Sequence, residues 1–101
     1  MTDLAETLSF QLRAAKIAHQ REVKLIPGRK FRTDILVGRL AIECDGAIWT
    51  GGRHTRGSGV ETDCEKQNLL VALGYRPMRV TGGQVRDGRA LLWIEQAMRT
   101  S

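Results

Sequence analysis

The chain has 101 residues, enough for one domain with one modest core. Its 42% hydrophobic and 27% charged residues exclude a disordered chain, and no apolar run is long enough for a membrane span or a secretory signal. The formal net charge of +5 favours a polyanionic partner, most often nucleic acid. The expected setting is therefore cytoplasmic and reducing, with Cys44 and Cys64 as thiols and no membrane partner. Cys44, His54 and Cys64 are spread without a C-x-x-C or H-x-x-x-H element, which argues against a structural zinc site.

Residues 3–16 read as a helix. Asp3 and Glu6 resemble a capping pair, and Leu4, Leu8, Leu12 and Ala15 recur on one face. Glu6 stands in the first turn, where the helix dipole favours a carboxylate whatever else it does. Residues 18–22 read as a polar connection and residues 23–26 as a short strand, ended by Pro27-Gly28. Arg29 and Lys30 add positive charge just before the centre of the chain.

That centre is residues 31–46, FRTDILVGRLAIECDG. Two strands, 31–37 and 40–45, flank Gly38-Arg39, a pair suited to a type II′ turn. The turn fixes the register: Val37 with Leu40, Leu36 with Ala41, Ile35 with Ile42 and Asp34 with Glu43. One face then carries Phe31, Thr33, Ile35, Val37, Leu40, Ile42 and Cys44 as a core face. The other sets Asp34 against Glu43 and Arg32 against Asp45. Like charges directly opposed destabilise a hairpin, so a cation is expected between Asp34 and Glu43. A divalent metal ion is the simplest candidate. Asp45 is open to either a metal contact or an ordinary ion pair with Arg32.

Residues 46–59, GAIWTGGRHTRGSG, form the longest irregular stretch. Its five glycines permit close backbone approach to phosphate, and Arg53 and Arg56 can grip phosphate in bidentate fashion. Trp49 and His54 lie in the same stretch. No Gly-Lys-Ser/Thr follows, so this is not a P-loop. A helix is expected over residues 61–73, capped by Ser58 with Glu61 or by Thr62 with Glu65, and stopped at Gly74. Its first half is polar and should border an open site; its second half, LLVAL, should be buried. Residues 75–80 read as a strand whose Pro77 argues for an edge or a strand start. Residues 81–86 read as a turn. Asp87 can cap a last helix over residues 88–98, with Leu91, Ile94 or Glu95, and Met98 inward; the position of Trp93 stays open. The element order predicts a single α/β domain with a mixed central sheet of about four strands flanked by helices.

A helix with an acid, a hairpin bearing Asp…Glu-x-Asp, a polar-headed helix and a strand resemble the PD-(D/E)XK nuclease superfamily over nearly the whole chain. IECDG, the histidine-containing loop and DCEKQN…LGYRPMRV are similar to the very-short-patch repair endonucleases. They are similar too to small nuclease-like proteins common in phages and prophages, some associated with recombination. The resemblance implies a restriction-endonuclease-like core and hydrolysis of DNA with Mg²⁺ or Mn²⁺. It implies that Asp34 and Glu43 bind the metal, with the backbone carbonyl of Cys44 as a further ligand, and that Glu6 is the N-terminal helix acid. Asp45 stands where the superfamily usually has lysine. Lys66, with Gln67 beside it, is the candidate for a lysine that has moved to the following helix, and His54 for the loop histidine near the metal.

These residue types suit the chemistry. A hard cation lowers the pKa of bound water and neutralises charge developing on a phosphate. Asp45 would allow a second metal, and Lys66 or His54 would act as acid, base or charge stabiliser. Arg29, Lys30, Arg53, Arg56, Trp49 and Gln67 are the expected nucleic-acid contacts. Few base-reading features are visible, which favours structure-selective or weakly specific cutting. A homodimer would suit a branched, two-fold substrate. A nucleic-acid-binding module without catalysis and a toxin-like ribonuclease are the rival readings.

Overall fold

The computed structural model describes residues 3–45 and 58–100. Eight elements follow in order: α1 (Leu4–Ala14), β1 (Gln20–Val23), β2 (Thr33–Val37), β3 (Leu40–Asp45), α2 (Ser58–Ala72), β4 (Arg76–Thr81), α3 (Gly82–Arg86) and α4 (Arg89–Arg99). The four strands form one mixed sheet in the order β1-β2-β3-β4. The first two pairings are antiparallel and β3 pairs β4 in parallel. This is the expected α/β architecture.

The central hairpin forms as its sequence dictates. Gly38 has φ +60°, the left-handed conformation that the first central position of a type II′ turn requires. The register pairs Val37 with Leu40, Leu36 with Ala41 and Ile35 with Ile42. Strict alternation then divides the sheet into two faces. Ile35, Val37, Leu40 and Ile42 join Leu8 and Leu12 of α1, Val85 of α3 and Ile94 of α4 in the main core. Each fully buried aliphatic side chain of this kind stabilises the fold by about 1.5–3 kcal/mol. The opposite face, with Leu36 and Ala41, meets Leu70 of α2 together with Ile26 and Phe31. Asp34 and Glu43 occupy that second face, toward α2.

Several expectations are corrected. The first strand is Gln20–Val23, three residues earlier than its apolar residues indicated. Leu25 and Ile26 instead leave the sheet and cover Leu70. Phe31 lies before β2 and packs with that second cluster, not on the main core face. In the last turns of α2 only Leu70 is fully buried, because one face alone meets the sheet; Val71 and Leu73 are exposed. Gly74, at φ +94°, ends α2 as expected: its N–H bonds Val71 and the Tyr75 N–H bonds Leu70, a Schellman arrangement. The expected turn after β4 is the short helix α3, because Thr81 and Gln84 form a reciprocal capping box. α4 turns Ala90 and Ile94 inward but leaves Met98 exposed. Its cap is Gly88, with Asp87 accepting the Arg89 N–H at 3.0 Å. Pro77 lies, as expected, on an edge strand.

Asp3 caps α1 by accepting the Ala5 N–H at 3.2 Å. Glu6 does not complete a capping box, because its carboxylate is taken by Arg21. Ser9 is buried; its Oγ meets His19 Nε2 at 2.7 Å and accepts from Arg13 at 2.9 Å. This network ties α1 to the approach to β1. Among the described residues no helix is long and apolar enough to cross a membrane. Both cysteines are free thiols.

Candidate active site

The site lies where β2, β3 and β4 face the polar half of α2. Asp34 and Glu43 leave adjacent strands on this face. Asp34 Oδ2 accepts the Cys44 backbone N–H at 2.8 Å, which fixes its carboxylate beside β3. Glu43 is half-buried, and its Oε2 is in ionic contact with Lys66 Nζ from α2. That contact aside, Oε2 is a buried oxygen with no aligned hydrogen-bond partner among the described residues. Lys66 also donates to the Arg32 carbonyl oxygen, which anchors it between the start of β2 and Glu43.

Electrostatics mark Glu43. Burial pushes its pKa above the ordinary carboxylate range, and Lys66 pulls it back. The neighbouring Asp34 charge adds to the rise and Arg79 opposes it. The positive charge in contact with this acidic face is the Lys66 ammonium, which meets Glu43. Cys44 is affected too. Burial, then the Asp34 and Glu43 carboxylates, push its thiol up to about 12. It is a poor thiolate, consistent with a side chain turned toward the main core.

Asp45 does not pair with Arg32. Arg32 meets Glu22 at 3.4 Å, because the ladder of β2 with β3 does not extend that far. Asp45 instead meets Arg79 Nε at 3.5 Å, and Arg79 also reaches Asp63 of α2 at 3.2 Å. Arg79 and Asp63 are residues that sequence reasoning missed. Arg79 faces Glu43 only through the parallel pairing of β3 with β4, which sets Glu43 beside Arg79 in register. No local sequence signal encodes that pairing. A cleft between α2 and β4 is lined by Glu43, Asp63, Lys66, Gln67 and Arg79 over an apolar floor that includes Leu70.

The remaining candidates lie around this centre or beyond it. Glu6 is bound by Arg21 at 2.7 Å and Arg13 at 3.5 Å, and the Arg21 hydrogen bond holds its pKa low. Arg29 pairs with Glu65 at 2.8 Å and stacks over Phe31, so it braces the polar half of α2. Lys30 is exposed on the same connection. Trp49, Arg53, His54 and Arg56 fall outside the described residues. Among those described, no group of three or more His, Cys, Asp and Glu side chains is arranged to hold a metal ion.

The architecture is a mixed four-stranded sheet flanked by helices. It is similar to a solved structure, the homing endonuclease I-Bth0305I catalytic domain, with a TM-score of 0.70. The alignment covers 95% of this chain and 92% of that chain at 20% identity, a likeness of fold. The chain matches no protein-family model and no curated protein.

Proposed function

We propose that this chain is a metal-dependent endonuclease that hydrolyses DNA phosphodiester bonds. The observation that carries the reading is the convergence of Asp34, Glu43 and Lys66 on one face of a nuclease-like sheet. The donor set fits Mg²⁺ or Mn²⁺. It consists of hard carboxylate oxygens, one of them buried without an aligned donor, and such ions keep several waters and need few protein ligands. Asp34 and Glu43 would hold the ion, with the Cys44 carbonyl and Asp45 as further ligands. The ion would activate a water and neutralise charge on the phosphate.

The chain's own groups do the rest. Lys66 favours the ionised form of Glu43 despite burial and supplies positive charge at the cleft. His54 would serve as a proton carrier near neutral pH, and Glu6 as a further acid. Arg29, Lys30, Arg53, Arg56, Trp49 and Gln67 would hold the nucleic acid. The finer reading places the chain in the PD-(D/E)XK superfamily, near the very-short-patch repair type. Its substrate would be branched or mismatched DNA met in recombination or repair, cut with weak sequence preference. A homodimer would match a two-fold junction; sedimentation as a strict monomer with and without such DNA would remove that part.

The test is incubation of plasmid, branched and mismatched DNA, and RNA with Mg²⁺ or Mn²⁺, beside Asp34→Ala and Glu43→Ala. Cutting by the wild type alone supports the proposal. Equal cutting by both variants would mean contamination. A second reading is a nucleic-acid-binding module without catalysis. Its motive is that Lys66 already neutralises Glu43 and Arg79 already engages Asp45. Binding without cutting by any form would favour it.

A further inference from the structure

Arg79 occupies an unusual place in the charge balance of the cleft. Four carboxylates surround it or its neighbours, those of Asp34, Glu43, Asp45 and Asp63, against two cations, Lys66 and Arg79. A phosphate entering this cleft meets net negative charge, so every available donor counts. Lys66 is committed: it is largely buried and shared between Glu43 and the Arg32 carbonyl. Arg79 is not. Its side chain is 52% exposed, and its two ion pairs are long and single-pointed, Nε to Asp45 at 3.5 Å and Nη2 to Asp63 at 3.2 Å. Exposed pairs of this geometry are weak and exchange readily. No hydrogen bond from Nη1 is made among the described residues. The guanidinium is thus drawn to the cleft lining by two weakly held anions and keeps donors to spare, which suits exchange onto a phosphate oxygen pair.

We infer that Arg79 is a phosphate-gripping residue of this cleft, held ready by Asp45 and Asp63 and transferred from them to the DNA backbone when substrate arrives. The inference rests on the proposed DNA-binding function. The competing role is a staple that joins β4 to α2 and serves the fold alone. The two roles differ in what Asp63 does. For a grip, Asp63 competes with phosphate; for a staple, Asp63 and Arg79 are equal partners.

The experiment measures binding of a fluorescent DNA duplex to the full chain by anisotropy in EDTA, across a salt series, with melting temperatures recorded alongside. Arg79→Ala is expected to weaken binding about tenfold. The slope of log affinity against log salt should become shallower by about 0.9, one phosphate contact. Asp63→Asn should bind as tightly as the wild type or more tightly. Arg79→Met keeps the aliphatic stem and is measured in the same way if Arg79→Ala melts early. Unchanged affinity and slope in the arginine variants would overturn the inference while leaving the nuclease reading in place. So would equal weakening by Asp63→Asn. A wild type that neither binds nor cuts DNA would overturn both.

Discussion

Lys66 of α2 lies against the Glu43 carboxylate of β3 and, with the same ammonium, holds the carbonyl oxygen of Arg32 at the start of β2. One side chain thus joins a helix to two strands at the point where the sheet turns its acids toward the cleft. Glu43 would be costly to bury as an anion without it. The pairing explains how two acids can stand on adjacent strands of a largely apolar hairpin.

Removing that ammonium should have a pH-dependent cost. Glu43 has a raised pKa in the folded chain, caused first by burial. Its contribution to stability is therefore fully present below the unfolded value of 4.5 and lost as pH rises through the higher folded value. Lys66→Met raises the folded value further, so the loss at neutral pH grows. The expected destabilisation is about 1–3 kcal/mol at pH 7 and smaller at pH 4.5. Urea denaturation at the two pH values measures it; an equal loss at both would contradict the role of Lys66 as counter-charge.

Asp34 allows structure and chemistry to be separated. Its carboxylate accepts the Cys44 N–H at 2.8 Å. Asp34→Asn keeps an oxygen for that bond, whereas Asp34→Ala orphans the N–H and should cost about 1–2 kcal/mol. Both should lack metal-dependent cutting if Asp34 holds the ion. Thermal melting paired with a plasmid cleavage assay distinguishes the two effects. An active Asp34→Asn variant would remove Asp34 from the proposed metal ligands.

Much of the hairpin is legible in the sequence, because Gly38-Arg39 and a period of two leave a single register that buries Ile35, Val37, Leu40 and Ile42 together. The face shared by Asp34 and Glu43 follows from the same alternation. Lys66 was legible as a polar residue on the helix head, and Gly74 as its stop. What was not legible depends on pairings distant in sequence. β1 is an edge strand with mixed exposure, and the apolar Leu25 and Ile26 that suggest a later strand pack elsewhere. The parallel docking of β4 on β3 brings Arg79 to Glu43 and Asp45, and no residue near Arg79 announces it. The apolar composition of LLVAL suggests full burial and does not reveal that α2 meets the sheet on one side only.

The two thiols should behave differently. Cys44 is half-buried, and its thiol is pushed up to about 12, first by burial and then by Asp34 and Glu43. Cys64 is exposed on α2. A thiol-specific disulfide reagent at pH 8 should therefore modify one cysteine per native chain, identified by peptide mass as Cys64, and both in urea. Rapid modification of Cys44 in the native chain would show that its surroundings are more open, or less negative, than the packing of β3 implies.

The end of α2 offers a test of the fold that avoids the cleft. Gly74 is left-handed at φ +94°, and its carbonyl accepts from Arg39 Nε at 3.0 Å. An added Cβ would clash with Arg39 Nη2, so the arginine tip would have to move. Gly74→Ala should combine the left-handed penalty of about 1–2 kcal/mol with loss of that bond. The effect should appear in the denaturation midpoint and leave the denaturant slope unchanged, since the fold is retained. Nucleic-acid binding and any cutting should persist below the melting temperature, because Gly74 follows Lys66 by about two helical turns and is not among the residues lining the cleft. A Gly74→Ala chain as stable as the wild type would mean that α2 does not end in the arrangement described, and the placement of Lys66 from that helix would need revision.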